Sequence, residues 1–498
     1  MTNPDTSASA DSRWRRLAIA LIALSVVVRL LCVGSVELLP EEAYYWNYAQ
    51  HLDIGYLDHP PMVAWLIRLG TAVFGNTEIG VRIGAVLCGA VASLFIYRLT
   101  LDLFGAASAL TAVLFMQLLP FCFCSGFLMT PDAPLTAAWA ATLFFLERAL
   151  IAGRVSGWWG AGISVGLGLV SKYTIAMLMP AAFVFMLLDA DARRWLRHWA
   201  PYVAALLAVA LFTPVILWNA RHEWISFAFQ TSHRLAERRR FSLHNLLASA
   251  LVLLTPVGFV SIFGALRSPT SSDPATTHEQ RARRFLLICV ALPFTVYLLF
   301  SLQHEVKLDW TGTVWIAALP ALAAVARGRV RTAWAATSVV LLLVYAVALD
   351  YLVLGIPGVG YSEHMEVSPV GWRDLGRQVS ALAYDERRRT GAEPLVVGMD
   401  RYATASELAF YAPDHERAVA QTSASHLFGG AGLMYEQWFP LDQVQGRTLL
   451  LVALKPQDLD DPSLESHAKL LEATREGALI RHGKVVHRFY YRVVFGYR

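Results

Sequence analysis

Charge is scarce in this chain of 498 residues. Asp, Glu, Lys and Arg make up 16% of it, against about 25% in an ordinary soluble domain. With 56% hydrophobic residues and a mean hydropathy of +0.45, that shortage excludes an ordinary soluble domain and points to an integral membrane protein. Cysteine is also scarce. The five present, Cys32, Cys88, Cys122, Cys124 and Cys289, all lie in apolar runs, where cysteine behaves as a small apolar residue. Their spacing gives neither a disulfide framework nor a zinc motif. The sequence has no glycine-rich phosphate loop and no internal repeat. The net charge of +4 decides little, because in membranes the placement of Lys and Arg matters more than their sum.

What is present is a series of long apolar runs. A spanning helix needs roughly 20 mostly apolar residues. On that rule about eleven spans are expected, near 17–36, 79–98, 106–124, 132–150, 157–171, 174–189, 200–218, 245–266, 285–303, 311–326 and 332–355, with 60–75 as a further interfacial helix. The polar tail 1–16 ends in Arg13, Arg15 and Arg16. The following run is longer than a signal-peptide core and lacks a small-residue cleavage site, so it reads as an uncleaved first span with a cytoplasmic N-terminus. Alternating from there, the inside loops collect Arg98, Arg148, Arg154, Arg193, Arg194, Arg197, Arg267, Arg281, Arg283, Arg284, Arg327, Arg329 and Arg331, as the positive-inside rule requires. Residues 268–284 read as a polar cytoplasmic linker.

Near Gly360 the composition changes. LVVGM at 395–399, TLLLVAL at 448–454 and VVHRFYYRVVF at 485–495 read as strands. Residues 370–388 and 463–478 have helical spacing. The expected architecture is a polytopic all-α membrane domain over 17–358 with an external loop at 37–60, followed by a small extracytoplasmic α/β domain over 359–498.

The predicted outer face gathers the polar exceptions. The loop 40-PEEAYYWNYAQHLDIGYLDHPP-61 carries Glu41, Glu42, Tyr45, Asp53, Asp58 and His59. TPDAPL places Asp132 at a helix start, SKYT places Lys172 between apolar runs, and HEVKLDW adds His304 and Lys307. One outside loop, 219–244, breaks the positive-inside rule with Arg221, Arg234, Arg238, Arg239 and Arg240. Cations on that side suit a bound anion such as a lipid phosphate. Each residue also has a plainer reading. Asp132 fits a helix N-terminus, Lys172 fits a snorkelling lysine, Tyr44, Tyr45, Trp46 and Tyr48 fit an interfacial aromatic belt, and the arginines fit a solvated loop. Their gathering on one face favours a site.

The first loop resembles that of bacterial family 39 glycosyltransferases, relatives of the dolichyl-phosphate-mannose protein mannosyltransferases and the lipid A aminoarabinose transferases. TPDAPL, GLGLVSKYT, WNARHEWISFAFQTSHR, EVKLDWTGTVWIAALP and DRYATASELAFY resemble further family segments in the expected order. The resemblance implies a C-type glycosyltransferase fold and transfer of a sugar from a polyprenyl-phosphate donor to a lipid, glycan or protein acceptor outside the cytoplasmic membrane, with inversion at the anomeric carbon. The family motif usually begins Asp-Glu; here Glu41 takes the base position, one methylene longer. Asp58 and His59 match the donor-side pair before Pro-Pro.

The chemistry agrees. A carboxylate takes the acceptor proton, with Glu41 first and Asp132 second, and cations stabilise the leaving phosphate, with Lys172, Arg221 and Arg234 as candidates. Glu42, Tyr45, Asp58, His59, His304 and Lys307 join them as expected substrate contacts. No metal ligands are assigned. A divalent cation is compatible with the loop's carboxylates, but His51, His59 and His304 match no metal motif. A transporter or flippase of lipid-linked sugars and a catalytically degenerate family member are the alternatives. The transporter predicts paired repeats with broken helices, which the sequence lacks.

Overall fold

The computed structural model describes residues 4–233, 236, 238–267, 274–356, 360–361, 368–481 and 484–498. Arg234, part of the 268–284 linker and the expected domain boundary at 359 therefore lie outside the described residues. The chain divides into two compact units. One comprises Met1–Leu30, His59–Val63 and Ile83–Val344; the other comprises Leu31–Asp58, Ala64–Arg82 and Tyr345–Arg498.

The first unit is helical. Helix occupies most of every apolar segment expected to span. Among the described residues, five helices are long and apolar enough to cross a membrane: Glu78–Phe104, Ala200–Arg221, Leu243–Ala265, Thr277–Ser301 and Gly328–Leu354. The expected count of eleven includes segments that the structure breaks. Residues 106–124 form two helices, Ala106–Leu118 and Pro120–Ser125, with Leu119 extended between them. Proline disfavours helical backbone at the residue before it. The 311–326 segment likewise splits into Gly312–Ile316 and Leu319–Val325, and 174–189 opens as a 3-10 turn, Tyr173–Met177, before Leu178–Leu188.

Close packing in this unit depends on small residues. A Cβ on Gly162 would lie 2.5 Å from the Ala204 carbonyl oxygen, and one on Gly166 would lie 2.7 Å from Leu211 Cβ. Helix Ser156–Leu169 therefore rests on Ala200–Arg221 through a four-residue glycine spacing, the small-residue contact that lets membrane helices approach. The buried charge in the first helix has side-chain partners. Arg29 donates to Ser25 Oγ at 2.8 Å and Gln117 Oε1 at 2.6 Å, and Gln117 donates to Ser93 Oγ at 2.8 Å.

The second unit contains a six-stranded sheet: β1 Leu395–Gly398, β2 Thr422–Ala424, β3 Leu449–Ala453, β4 Leu470–Leu471, β5 Arg475–Arg481 and β6 Lys484–Phe495. Its order is β2-β1-β3-β6-β4, with β5 also on β6. The pairs β1–β2 and β1–β3 are parallel, and those of β6 are antiparallel. β1 and β3 are buried at every position, which explains their continuous apolar runs. The expected strands at 395–399, 448–454 and 485–495 are present, as is the helix expected over 370–388, which runs Trp372–Thr390. The helix expected over 463–478 is corrected. Only Ser463–Ser466 is helical, and the rest supplies β4 and β5. The unpaired edge of the long strand β6 offers ladder hydrogen bonds that override local propensity.

The first loop as far as Asp58 belongs to this unit, and its start is held by one arginine. Arg82 donates through Nε to Glu42 Oε1 at 2.9 Å, through Nη1 to the carbonyls of Val33 at 2.8 Å and Val36 at 2.7 Å, and through Nη2 to the Glu37 carbonyl at 2.8 Å and Glu42 Oε2 at 2.6 Å. All five guanidinium N–H groups thus have acceptors. Glu42 also accepts the Leu39 N–H at 3.1 Å, closing the start of helix Pro40–Gln50. Both side chains of the pair are 0% exposed. Removing one partner of a buried pair leaves an uncompensated group and costs about 3–5 kcal/mol. Arg82→Gln is therefore expected to lower the apparent melting temperature in detergent sharply, and Glu42→Gln less so because its amide still accepts one bond. An unchanged melting curve for Arg82→Gln would remove the clamp from the fold's energetics.

Candidate active site

Helix Pro40–Gln50 begins with proline in its first turn and two acidic residues beside it, the composition a helix start favours. From Glu42 through Ala49 every residue is buried, whereas Glu41 is exposed. The two adjacent glutamates therefore have different fates. Glu42, expected to contact substrate, is instead the sealed partner of Arg82. Tyr45, also expected there, is buried 5.7 Å from the Tyr44 ring and 5.6 Å from the Tyr48 ring, centroid to centroid. Glu41 lies close enough to Tyr402 that, after burial, it is the next cause holding that hydroxyl protonated above its ordinary range.

The other end of the loop places Asp58 in an aromatic box. Its Oδ1 accepts from the Tyr44 hydroxyl at 3.1 Å and from the Tyr48 hydroxyl in a short hydrogen bond. Tyr44 in turn accepts the Met434 N–H at 3.1 Å, and Tyr48 stacks on Tyr56 at 3.9 Å. Burial raises the Asp58 carboxyl above its ordinary range; the two tyrosine hydroxyls and the charge of Arg401 oppose that rise. The loop is fastened to the rest of its unit by polar contacts. Leu38 N–H donates to Tyr411 Oη at 2.7 Å, Trp372 N–H to Glu37 at 2.8 Å, Tyr411 to Glu78 Oε1 at 3.1 Å, and Arg373 pairs with Glu78.

One carboxyl in this region was not singled out by the sequence. Glu407, on helix Ala403–Tyr411, is fully buried, and neither of its oxygens has a hydrogen-bond partner. Burial first, then the nearby Glu37 and Glu42, hold its carboxyl well above the ordinary range against the pull of Arg82. The segment DRYATASELAFY carried the resemblance, but an isolated Glu in a mixed helix gives no sign of burial. Arg82 did carry a signal. A lone cation at the start of an apolar run must find a partner.

In the first unit, Asp132 opens helix Asp132–Leu150 and Lys172 sits at the break after Ser156–Leu169. Lys172 Nζ donates to both Asp132 oxygens at 2.9 Å, and each side chain keeps 16% exposure. Asp132 is thus more than a helix-start residue, and Lys172 more than a snorkelling one. Asp309 adds a repelling charge nearby. His59 is half-buried, and Arg221 and Lys307 are exposed. Arg221 ends helix Ala200–Arg221, and the chain turns through positive φ at Glu223 and Trp224. Arg240 bonds Glu305 at 2.7 Å, tying the basic loop to HEVKLDW. His304, expected as a substrate contact, is buried with its ring 4.8 Å from that of Phe300. Its carbonyl accepts from Ser242 Oγ at 2.6 Å, which holds the backbone. Among the described residues, no three His, Cys, Asp or Glu side chains form a group able to hold a metal ion.

The fold matches solved structures along nearly its whole length. It aligns with ArnT from Cupriavidus metallidurans bound to undecaprenyl phosphate at a TM-score of 0.62 and 16% identity, covering 95% of this chain and 97% of that one. The architecture is therefore the C-type glycosyltransferase fold. Residues 58–218 match the family described as dolichyl-phosphate-mannose-protein mannosyltransferase. The chain is 29% identical to the lipid A galacturonosyltransferase of Rhizobium johnstonii over 214 residues, 39% of this chain and 41% of that protein. It is 26% identical to an undecaprenyl phosphate-alpha-4-amino-4-deoxy-L-arabinose arabinosyl transferase of Pseudomonas fluorescens over 263 residues, 48% of this chain and 44% of that protein. These matches bear out the resemblance to family 39 glycosyltransferases; they span less than half the length of these curated relatives.

Two measurements test these environments. Tyr48→Phe removes a hydrogen bond that favours ionised Asp58, so the carboxyl should rise further. Where activity needs the carboxylate, the acid limb of the pH–rate profile should move to higher pH; an unmoved limb would separate Asp58 from turnover. Glu407 has a raised folded-state pKa, so its contribution to stability is full below the unfolded carboxylate value and is lost as pH rises through the folded one. Between those values the loss is up to about 1.4 kcal/mol per pH unit. Glu407→Gln should therefore gain stability relative to the parent protein as pH is raised from 5 to 8, read as apparent melting temperature in detergent. A constant difference across that range would contradict this.

Proposed function

We propose that the protein is an integral-membrane glycosyltransferase. It moves a sugar from a polyprenyl-phosphate donor to an acceptor on the external face of the cytoplasmic membrane, with its C-terminal α/β domain (359–498) on that face. The observation that carries the reading is the first loop itself, folded so that Glu41 alone of its helical residues remains exposed. A base must reach its proton, and Glu42 cannot. In the reaction, the acceptor hydroxyl oxygen attacks the anomeric carbon as the bond from that carbon to the phosphate oxygen breaks. The hydroxyl proton passes to the Glu41 carboxylate, and the electron pair leaves with the phosphate. A single displacement inverts the anomeric centre.

The leaving phosphate gains charge in the transition state, so fixed cations lower the barrier. Lys172 is the first choice for that role. Its Asp132 partner holds the ammonium in place and takes up its charge until phosphate arrives, and both stay partly exposed. Arg221 is an exposed second cation, and His59 and Lys307 are further donor-side candidates. The relatives named for lipid A and for aminoarabinose support a lipid acceptor of the outer envelope and a hexuronosyl or aminopentosyl donor.

The purified protein should release undecaprenyl phosphate from an undecaprenyl-phosphate-linked aminoarabinose or galacturonic acid donor when given lipid A. Glu41→Gln should reduce turnover by about 10²–10⁴-fold without lowering the melting temperature. Lys172→Gln should reduce it by removing the donor-side cation, and Asp132→Asn by releasing that cation from its fixed place. Full activity in both Glu41→Gln and Asp132→Asn would overturn the assignment.

A further inference from the structure

Away from the residues assigned above, the first unit contains a concavity. A cavity of about 590 Å³ is lined by Leu94, Phe95, Arg98, Phe144, Phe145 and Arg148, and closed by Arg154 with Ser156 and Gly157. Its position follows from the elements. Arg98 lies toward the end of helix Glu78–Phe104, Arg148 in the last turn of Asp132–Leu150, and Arg154 in the connection to Ser156–Leu169. Three guanidinium groups thus meet at one end of neighbouring helices, the end that the positive-inside rule assigns to the cytoplasm.

The three arginines are not equivalent. Arg148 is fixed, paired with Asp102 at 2.5 Å and lying over the Phe144 ring at 5.0 Å. Glu147, at 3.7 Å, adds a second carboxylate beside it. Arg98 and Arg154 are exposed and make no ion pair among the described residues. Two of the three cations are therefore open to an outside anion. The wall beneath them is Phe95, Phe144 and Phe145, with Leu94 exposed alongside. Cations above an aromatic and aliphatic wall complement a molecule whose phosphate is joined to hydrocarbon. Arginine offers the planar fork that binds phosphate oxygens in pairs, and basic pockets between helices on this face suit anionic headgroups.

We infer that this cavity is a binding site for an anionic glycerophospholipid, whose phosphate is held by Arg98 and Arg154 and whose acyl chain lies along Leu94 and Phe95. The ligand differs in place and role from a polyprenyl-phosphate donor, so the inference stands or falls independently of the transferase reading.

Native mass spectrometry of the detergent-solubilised protein, titrated with dioleoylphosphatidylglycerol or dioleoylphosphatidylcholine, tests it. The parent protein should retain phosphatidylglycerol in preference to phosphatidylcholine. The double variant Arg98→Gln/Arg154→Gln, which leaves the Arg148–Asp102 pair intact, should retain it roughly tenfold or more weakly for the loss of two cations. Arg154→Gln alone should fall between, and each variant should melt at the parent temperature. Inorganic phosphate in excess should fail to displace the lipid, because it lacks the chain. Equal retention of the two lipids, equal retention by parent and double variant, or displacement by inorganic phosphate would overturn the inference.

Discussion

The Arg82–Glu42 pair constrains everything around the first loop. Removing two charges from water costs several kcal/mol per ion, so the pair survives only because all five guanidinium donors are met. Three of the acceptors are backbone carbonyls at Val33, Val36 and Glu37, and Glu42 closes the start of the next helix through Leu39. One side chain therefore fixes the turn that leaves the first helix and the helix that follows it. A helix advances 3.6 residues per turn, so neighbours point about 100° apart. With Glu42 committed inward, Glu41 is turned away from the pair. The clamp thus decides which of two adjacent carboxylates is exposed.

The second ion pair shows the opposite design. Asp132 and Lys172 each keep 16% exposure, and Lys172 carries its charge on a flexible stem rather than a fork. A pair with no exposed surface cannot exchange a partner for substrate without unfolding its surroundings. A partly exposed pair can trade a carboxylate for a phosphate at small cost, since both bind an ammonium as a point charge. The two pairs thus differ in burial and donor saturation, and both are settled by backbone geometry that residue type alone does not carry.

That is also where sequence reasoning was sufficient and where it was not. The apolar runs announced the helices because hydropathy over a long window is additive, and β1 and β3 announced themselves because strands covered on both faces are continuously apolar. Segment 463–478 misled because its helical spacing is a local property, whereas β4 and β5 exist through pairing with β6, a non-local one. In the loop, residue chemistry pointed to carboxylates and aromatics but could not rank Glu41 against Glu42; the partner, Arg82, is 40 residues away in sequence. The burial of His304 was illegible for a related reason. Its polar type suggested contact with substrate, but the turn held by Ser242 places its ring inside, against Phe300.

The aromatic density of the loop has a consequence beyond packing. Tyr44, Tyr45, Trp46 and Tyr48 are all buried, so they are more than an interfacial belt. Tyr44 and Tyr48 meet Asp58, whose burial by itself would favour the neutral acid. The hydroxyls of Tyr44 and Tyr48 then return part of the lost solvation as hydrogen bonds to the carboxylate. A phenylalanine box would bury Asp58 and neutralise it, and an open loop would leave it charged but mobile. Tyrosine does both tasks with one side chain: the ring holds the carboxylate in place, and the hydroxyl favours its ionised form. The ionisation of Asp58 is thereby made to depend on two phenolic protons.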